Sequence, residues 1–397
     1  MAERPLHVLI AGINWPPETF IARLVQGLLD RGLTVTVATA TKPSTLWQRQ
    51  PGFNWLFTPA WQGGKGRRLI RLASLLLRAM LSAPGDGRRL ATKPFLFNWY
   101  HFLPFAGRRW DVIYFPWNSA AVFYWPLFDL GCPVVISCRG SQINVAPHNP
   151  RRAELVEGLR VTLSRTRAVH CVSEAIKNEA MQYGLEPRKA TVIRPAVDSD
   201  FFYPLSSQAR QPEPPLRIIT TGSLIWRKGY ECGLLAVRQL VDEGVSVHLD
   251  IIGAGPERQR VLYTIDDLGL QGMVRLYGQL TPEQVRDKLQ QADVFLLASL
   301  SEGISNAVLE AMACGLPVVT TDGGGMGEAV TDGVEGFVVP IWDAAAMAAA
   351  LKQLASKPEL RQTMGQAGRQ RICQQFTLSQ QVESFVSLFR SCISTHS

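Results

Sequence analysis

Residues 293–324 read DVFLLASLSEGISNAVLEAMACGLPVVTTDGG and decide the fold. A short apolar run stands near each end of this stretch, and between them lies a segment whose apolar residues recur at helical spacing. A buried strand, a loop, a helix and a second buried strand in this order form the unit of a parallel sheet covered by helices on both faces. The stretch therefore predicts an α/β fold whose ligands bind at the carboxyl ends of the strands.

The same alternation runs through both halves of the 397-residue chain. The first half contains the predicted strands LHVLIAGI (6–13), TVTVATA (34–40), DVIYFP (111–116), PVVISCRG (133–140), AVHCVS (168–173) and ATVIRP (190–195). The second half contains LRIITTGS (216–223), VSVHLDIIGAG (245–255), VRLYGQ (274–279), DVFLLAS (293–299), PVVTTDGG (317–324) and GFVVP (336–340).

A segment rich in Pro, Ser and Gln, YPLSSQARQPEPPLR (203–217), separates these halves and has the composition of a linker. We therefore predict two Rossmann-like domains with parallel sheets facing a central cleft. Residues 1–204 would form the first domain and residues 205–375 the second, while a C-terminal helix at about 376–397 can pack back on the first.

Composition indicates a globular protein of a reducing compartment. Apolar residues make up 46% of the chain, and the seven cysteines are dispersed with no CxxC pair, which argues against a zinc site or a disulfide framework. The start, MAERPLHVLIAGI, lacks the shape of a signal peptide. These features predict a cytoplasmic protein.

The loop after the strand 293–299 places two glutamates around a predicted helix start. Glu302 precedes the helix, where its carboxylate can accept hydrogen bonds from sugar hydroxyls. Glu310 lies about one turn into the helix and can bind both hydroxyls of a ribose. Between them Gly303 permits close backbone approach, and the amides of a helix start suit a phosphate. Either glutamate alone is more simply a solvated surface residue, but the pair on one loop favours a sugar nucleotide.

Two cations follow another predicted strand in TGSLIWRKGY (221–230). Arg227 and Lys228 stand at a helix start, where the helix dipole disfavours positive charge unless an anion is nearby. A diphosphate leaving group needs such neutralisation as its bond to a sugar breaks. Two ordinary surface cations remain the alternative.

Two glycine-containing loops complete the candidate site. IIGAGPE (251–257), with Gly253 and Gly255, lacks the third glycine of a dinucleotide fingerprint, so it does not indicate NAD and fits a tight turn beside a nucleobase. DGGGMGEAV (322–330), with Glu328, can cradle a phosphate or a donor sugar, or is a plain strand-to-helix turn.

Other chemistries find little support. Asp198 and Asp200 form a D-x-D that could hold a divalent cation, but it precedes the linker, so a turn or cap role is favoured. The chain has no HExxH, no P-loop and no GxSxG, and its six histidines are dispersed. The sequence therefore predicts no metal site and no cofactor.

At these motifs the sequence resembles glycosyltransferase family 4, retaining enzymes of the GT-B fold. The family pattern EGxSNxxLEAMAxGxPVV is met from Glu302 to Val319. RKG (227–229), IIGAGPE, GGGMGE and DGVEGFVVP (332–340) are also similar to it. CVSEAIKNEAMQYGLEPRKATVIRPAVDSDFFYP (171–204) resembles the segment that ends the acceptor domain. The resemblance covers about residues 165–390, whereas residues 41–110 match little.

The resemblance implies roles for these residues. Glu302 would hold donor-sugar hydroxyls and Glu310 the ribose, while Arg227 and Lys228 would bind the diphosphate. The backbone of the helix start would lie near sugar and phosphate, and further donor contacts would come from the glycine loops; these residues are Gly222, Gly253, Gly255, Gly303, Ile304, Ser305, Asn306 and Glu328. Transfer would retain the anomeric configuration without a metal, the departing phosphate oxygen accepting the proton of the acceptor.

The chain departs from the family pattern at three places. The first loop, GINWPPE (12–18), has one glycine, Gly12, where many members have two, and continues with Asn14. Arg139-Gly140 stands where many have His-Gly, and Ser223 where many have Arg. These departures leave Gly12, Asn14, Arg139 and Gly140 as candidates on the acceptor or sugar side.

The region between Thr41 and Trp110 carries twelve Lys/Arg against one acid, in a chain of net charge +8. Within residues 63–90, Leu69, Leu72, Leu75, Leu76 and Met80 can share a helix face, with Arg68, Arg71 and Arg78 beside it. Such a helix either lies on an anionic membrane or is an ordinary domain helix with a basic side. The aromatic residues nearby do not form an RNA-binding pattern, so no nucleic-acid partner is expected.

Together these features predict a GT-B glycosyltransferase that moves a hexose, with retention, from a UDP-, GDP- or ADP-sugar to a glycan or lipid-linked acceptor in polysaccharide, lipopolysaccharide or glycolipid synthesis. It would be cytoplasmic, with peripheral attachment to the cytoplasmic face of the membrane as a hypothesis. A nucleotide-sugar epimerase of related fold and a non-catalytic nucleotide-sugar-binding partner remain alternatives.

Overall fold

The computed structural model describes residues 4–59, 65–90, 96–205 and 214–393. The chain forms two compact units. Met1–Ile193 and Val382–Ser397 make up the first domain, and Arg194–Gln381 the second.

The first domain is built on a seven-stranded parallel sheet of order β3-β2-β1-β4-β5-β6-β7. Its strands are β1 (His7–Ile10), β2 (Thr34–Thr39), β3 (Phe53–Phe57), β4 (Val112–Phe115), β5 (Val134–Cys138), β6 (Ala168–Cys171) and β7 (Ala190–Val192). All six strands expected in this half are present. The edge strand β3 was not expected, because its sequence, FNWLF, is short and lies within the basic region that the pattern leaves unassigned.

The helices of this part of the chain are α1 (Thr19–Asp30), α2 (Thr45–Gln48), α3 (Lys65–Ser82), α4 (Pro84–Leu90), α5 (Leu96–Phe102), α6 (Asn118–Phe123), α7 (Ser141–Asn144), α8 (Ala153–Arg165) and α9 (Glu174–Met181). Short 3₁₀ turns lie at Leu103–Phe105, Trp125–Leu130, Ala146–His148, Pro150–Arg152 and Pro187–Lys189.

The second domain has a six-stranded parallel sheet of order β10-β9-β8-β11-β12-β13. Its strands are β8 (Leu216–Thr221), β9 (Val247–Ile252), β10 (Val274–Gly278), β11 (Val294–Leu297), β12 (Val318–Thr321) and β13 (Gly336–Val339). Its helices are α10 (Tyr230–Asp242), α11 (Arg258–Asp267), α12 (Pro282–Gln291), α13 (Asn306–Ala313), α14 (Met326–Ala329), α15 (Ala344–Ser356) and α16 (Pro358–Gln375).

The sheet order of the second domain explains where its site lies. Chain order reverses between two neighbouring strands, β8 and β11. On either side of this pair lie β9, next to β8, and β12, next to β11. The loops that leave β9, β8, β11 and β12 therefore meet at one edge, and ligands of open α/β sheets bind at such a reversal.

The last helix, α17 (Leu378–Ile393), returns to the first domain. Its Phe385 and Phe389 pack on Tyr114 with ring centroids 5.6 and 5.4 Å apart. Gly27 of α1 abuts Val382, so a side chain at Gly27 would collide with it. Close packing at a glycine and burial of two large rings together hold this helix on the first domain.

The division between the domains falls at 193/194 instead of the expected 204/205. The segment after Arg194 packs on the second domain, because Arg369 of α16 donates to the carbonyl oxygens of Ser199 and Phe202 at 3.0 and 2.8 Å. Val197 also forms a β-bridge with Thr377. Residues 206–213 of the predicted linker and 394–397 of the predicted C-terminal helix lie outside the described residues.

Candidate functional site

The loop between β11 and α13 carries a buried carboxylate. Glu302 is only 7% exposed, although it lies in a loop. Its backbone N–H donates to the carbonyl oxygen of Gly323 at 2.9 Å, which ties the loop to the one that follows β12. A buried carboxylate is costly unless charged or hydrogen-bonding partners meet it.

Those partners are the two cations predicted from the sequence. The ammonium of Lys228 hydrogen-bonds to Glu302 Oε1, and Arg227 Nη1 lies 3.8 Å from Glu302 Oε2. Ser299 Oγ donates to the same Oε1 at 3.0 Å. Arg227 also donates to the carbonyl oxygen of Ser301 at 3.4 Å. The structure thus brings together the three residues predicted to be catalytic.

Both cations lie on a 3₁₀ turn, Trp226–Lys228, which follows β8. Gly229 ends the turn in a left-handed conformation with φ of 60°, and a Cβ there would collide with the carbonyl oxygen of Ala298. Only glycine fits both conditions, so the RKG sequence fixes the cations against the β11 loop.

Tyr230 belongs to this cluster, although it is not among the residues predicted for the site. Its hydroxyl donates to the carbonyl oxygen of Gly222 at 2.9 Å. Burial, and then the charge of Glu302, raise the pKa of Tyr230 far above its ordinary value, so the phenol stays protonated. Its place directly after RKG, on the first turn of α10, is the signal that could have found it. Ser299 was missed likewise, since a single serine at a strand end has no distinctive pattern.

The predicted donor glycines bring neighbouring loops into contact. A Cβ at Gly253 would collide with the Gly222 carbonyl oxygen, and one at Gly255 with that of Leu224. The loop after β9 therefore lies directly on the loop after β8. This packing accounts for both glycines within the domain itself.

The glycine loop after β12 touches the Glu302 loop. Gly324 has φ of +89°, and a Cβ there would collide with the Glu302 carbonyl oxygen. Gly325 N–H donates to that same oxygen at 3.3 Å. Glu328, predicted to bind the donor, forms an ion pair with Arg194 at 3.0 Å. Its carboxylate thus has a partner within the second domain.

The two glutamates of the fold-deciding stretch lie on different elements, as expected. Glu302 is in the loop, and Glu310 is the fifth residue of α13, where it is half-buried. Burial, and then the charge of Glu310, raise the pKa of Cys314 to about 12. Around the helix start, Gly303, Ile304 and Ser305 are buried and Asn306 is exposed.

The acceptor-side candidates lie in the first domain. Gly12 and Asn14 line a cavity of about 580 Å³ at the carboxyl ends of β1 and β4. The other lining residues are polar or aromatic for the most part and include Glu18, Trp117, Ser119, Phe123, Ser141 and Gln142. Gly140 caps α7, whose first residues line this cavity. Arg139 is not among the lining residues and lies over the ring of Phe20 at 4.5 Å.

The D-x-D segment forms a turn. Asp198 Oδ1 accepts hydrogen bonds from the backbone N–H groups of Asp200 and Phe201 at 3.2 and 3.1 Å. Within the described residues, no cluster of three His, Cys, Asp or Glu side chains could hold a metal ion. The two hydrogen bonds that Asp198 accepts give it a local capping role in this turn.

Two family models match successive parts of the chain. The model "Glycosyltransferase Family 4" matches residues 17–201, and "Glycosyl transferases group 1" matches residues 205–371. The chain belongs to the group 1 glycosyltransferases of the family 4 type. This confirms the family that the sequence motifs indicated.

Several known proteins are similar to this member of the family. A putative colanic acid biosynthesis glycosyltransferase, WcaL, of Salmonella typhimurium is 36% identical over 188 residues, 46% of each chain. A lipopolysaccharide core biosynthesis glycosyltransferase, LpsE, of Rhizobium meliloti is 31% identical over 44% of this chain and 49% of its own. The chain thus aligns with about half the length of these curated relatives.

Solved structures confirm the GT-B fold. HepE from Anabaena, in complex with UDP and glucose, has a TM-score of 0.72 at 18% identity and covers 97% of this chain and 99% of its own. Sucrose-phosphate synthase from Thermosynechococcus elongatus has a TM-score of 0.76 at 18% identity, with 98% and 100% covered.

Proposed function

We propose that this protein transfers a hexose from a nucleotide-diphosphate sugar to a glycan or lipid-linked acceptor, with retention and without a metal, in polysaccharide, lipopolysaccharide or glycolipid synthesis. The observation that carries this proposal is the cluster of the buried Glu302 with the half-buried Lys228 and Arg227, at the chain reversal of the second sheet. The names of the relatives WcaL and LpsE, and the UDP complex of HepE, support the reaction class.

The cluster suits a donor that brings both hydroxyls and phosphates. A diphosphate beside Lys228 would replace Glu302 as the partner of the ammonium, because phosphate oxygens accept strong charge-assisted hydrogen bonds. The Glu302 carboxylate would then accept hydrogen bonds from sugar hydroxyls. One exchange of partners thus couples diphosphate binding to sugar binding, and Ser299 keeps the carboxylate oriented at 3.0 Å.

Charge on the leaving group would be stabilised by the same two cations. As the bond between the anomeric carbon and the phosphate oxygen breaks, negative charge grows on the diphosphate, and Lys228 and Arg227 lie on a rigid turn to receive it. The acceptor hydroxyl oxygen bonds to the anomeric carbon, and its proton passes to the departing phosphate oxygen. The products are the glycoside and the nucleoside diphosphate.

Thermal unfolding in the presence of UDP, GDP and ADP, and then of their sugars, tests the donor. A ligand at a hundredfold excess over its Kd raises the free energy of unfolding by about 2.7 kcal/mol. We expect one of the three bases to give a clear rise in melting temperature, and its sugar conjugate a further one. No rise with any of them would contradict the proposal.

Peripheral membrane attachment is the second part of the proposal, and helix α3 supports it in a changed form. The five apolar residues expected on one face divide between two. Leu72 is buried and Leu75 and Leu76 are half-buried against the domain, whereas Leu69 and Met80 are exposed. The helix carries more than one apolar stripe, and the pattern alone does not tell which one the core takes.

The outer stripe is wide and apolar. Its members are 59–78% exposed and fall within an arc of about 120° at 100° per residue; they are Leu69, Ile70, Leu77, Met80 and Leu81. Arg71 and Arg78 are exposed and follow this arc on one side. An apolar stripe beside cations suits the interface of an anionic bilayer. None of the helices within the described residues combines the length and the apolar content of a membrane-spanning segment.

Sedimentation with vesicles containing phosphatidylglycerol tests this attachment. We expect the protein to pellet with the vesicles at low salt and to be released in part as salt rises, since the arginine contribution is screened. Protein that stays in the supernatant at low salt would contradict membrane attachment while leaving the transferase proposal intact.

A further inference from the structure

A chain of hydrogen bonds runs across the first domain beneath α17 and ends at Arg139. Arg139 Nη2 bonds to the hydroxyl of Tyr114 at 3.3 Å, and this hydroxyl bonds to Ser137 Oγ at 2.7 Å. Ser137 Oγ bonds to His170 Nδ1 at 2.6 Å, and His170 Nε2 to the carbonyl oxygen of Ile193 at 2.8 Å. The side chains between these two ends come from the neighbouring strands β4, β5 and β6.

The direction of every hydrogen bond in this chain is determined. The carbonyl of Ile193 can only accept, so His170 Nε2 carries a proton and donates. Burial, and then the charge of Arg139, hold the pKa of His170 well below its ordinary value, so the ring is neutral and Nδ1 accepts from Ser137. Ser137 must then accept from Tyr114, and Tyr114 accepts from Arg139, whose guanidinium has only donors.

Burying such a series of hydrogen-bonded polar side chains costs free energy of folding. Tyr114, Ser137 and His170 are all fully buried, and apolar residues in their places would need no partners. Tyr114 and His170 both pack on Phe385 of α17, so the chain lies in otherwise apolar surroundings. A fully satisfied buried network fixes side-chain positions, and here the group at its open end is the guanidinium of Arg139.

The surroundings of Arg139 in the described part of the first domain are uncharged or cationic. No carboxylate in the described residues forms an ion pair with it, and its Nε is buried with no hydrogen-bond partner. Its contacts are the neutral hydroxyl of Tyr114 and the face of Phe20. Arg139 follows β5 at the carboxyl edge of the sheet and is half-buried, so its open side can reach a ligand. A fixed guanidinium without a carboxylate partner suits a phosphate.

We propose that Arg139 binds a phosphate group of a substrate, and that Tyr114, Ser137 and His170 are positioning residues that hold its guanidinium. This inference rests on the proposed transferase function. The phosphate belongs either to the donor diphosphate or to a phosphorylated acceptor, and both sources offer the same chemistry to the guanidinium.

Calorimetric titration distinguishes the two sources. The first arm compares the nucleoside diphosphate that binds with its uncharged nucleoside. If the donor supplies the phosphate, Arg139→Gln weakens binding of the nucleoside diphosphate about tenfold and leaves the affinity for the nucleoside unchanged. The second arm titrates inorganic pyrophosphate into protein saturated with the diphosphate. If the acceptor supplies the phosphate, Arg139→Gln abolishes this second binding event. If Arg139→Gln changes binding in neither arm, the proposal is overturned.

Arg31→Gln is the matched control. Arg31 is a half-buried arginine at the end of α1, paired with Glu383 at 3.3 Å, and its replacement should change neither arm. If the wild-type protein binds none of the nucleoside diphosphates, the transferase proposal fails by itself. Pyrophosphate titrated alone into the wild type and Arg139→Gln then still tests the site.

A double-mutant cycle tests the positioning role. Tyr114→Phe keeps the ring on Phe385 and Phe389 and removes only the hydroxyl. We expect it to lower the binding affinity about fivefold in the same arm of the titration that Arg139→Gln affects. Tyr114→Phe with Arg139→Gln should then be no worse than Arg139→Gln alone, since both remove one interaction. Losses that multiply would overturn the positioning role. If Tyr114→Phe fails to fold, Ser137→Ala breaks the same chain one bond further on and carries the same expectation.

Discussion

The β11–α13 loop and helix α3 differ in which side chains they bury and which they expose. In the loop, the charged Glu302 is buried and is met by Lys228, Arg227 and Ser299. On α3, five large apolar side chains point to solvent and only the inner side packs on the domain. A buried charge with fixed partners is typical of a site that recognises a ligand by geometry. An exposed apolar stripe is typical of a surface that docks on something apolar and needs no exact fit.

The comparison therefore predicts steep effects of substitution in the loop and graded effects on α3. The steepest should come from the cation nearest Glu302. Lys228→Ala should lower kcat/KM about a hundredfold or more, because it removes the preorganised positive charge that stabilises the leaving diphosphate. Arg227→Ala, whose Nη1 is 3.8 Å from Glu302, should lower it less, about tenfold. Steady-state rates of nucleoside diphosphate release measure both.

Lys352→Ala is the control for these two variants. Lys352 is a solvent-exposed lysine of α15 paired with Glu243, and its loss should leave kcat/KM within twofold. A Lys228→Ala protein that folds normally and keeps wild-type kcat/KM would break the claim that this cluster meets the leaving group.

The glycine loop after β12 offers a pair of variants only three residues apart. Gly324→Ala should destabilise the domain by about 1–3 kcal/mol, since φ is +89° and the new Cβ would meet the Glu302 carbonyl. Activity should fall with it, because the Glu302 loop must shift. At Gly327, in α14, a Cβ meets nothing within 4 Å, so Gly327→Ala should be neutral or slightly stabilising. Denaturant unfolding compares them, and equal midpoints would refute this account of the loop.

Glu310 should contribute to nucleotide affinity alone. Glu310→Ala removes the proposed ribose contact, and we expect about a tenfold weaker Kd for the nucleoside diphosphate, or about 1.4 kcal/mol. Glu359→Ala, which changes an acid on the first turn of α16, serves as the control. Calorimetry measures both, and an unchanged Kd in Glu310→Ala would count against the ribose assignment.

On α3 we expect each substitution to cause a smaller loss of vesicle binding, and the losses to be additive. Leu77→Gln and Leu81→Gln should each reduce the pelleted fraction on phosphatidylglycerol vesicles by a few fold, because each removes apolar area from the bilayer contact. Leu46→Gln, a 74% exposed leucine of α2 outside this stripe, should have no effect. Equal losses in all three variants would show that the stripe has no special role.

The smallest effect should follow treatment with EDTA. The proposed mechanism neutralises the diphosphate with Lys228 and Arg227, so transfer should persist at its full rate after chelation and dialysis. Strict dependence on an added divalent cation would contradict this mechanism and would require another role for Asp198 and Asp200.

The extent to which sequence determines structure also differs between these regions. The strands and loops around Glu302 could be predicted because each strand is a short apolar run and each loop contains glycines that backbone contacts require. The hydrogen bond between Tyr230 and Gly222 could not, since it depends on how the connection between β8 and α10 folds back on itself. On α3 the spacing gives a helix, but Leu72 and Leu77 are chemically identical, and only the neighbouring elements decide which is buried. The chain from Arg139 to Ile193 joins residues far apart in sequence, and no local pattern marks it.

Mass spectrometry of a complete reaction tests the central claim most directly. The protein is incubated in EDTA with the nucleotide sugar that stabilises it and with a glycan or lipid extract as acceptor, and Lys228→Ala is the blank. We predict an acceptor heavier by one hexose together with an equal amount of nucleoside diphosphate, both strongly reduced in the blank. A sugar nucleotide isomerised at unchanged mass would identify an epimerase instead, and an unaltered donor would contradict the claim that this protein is a transferase.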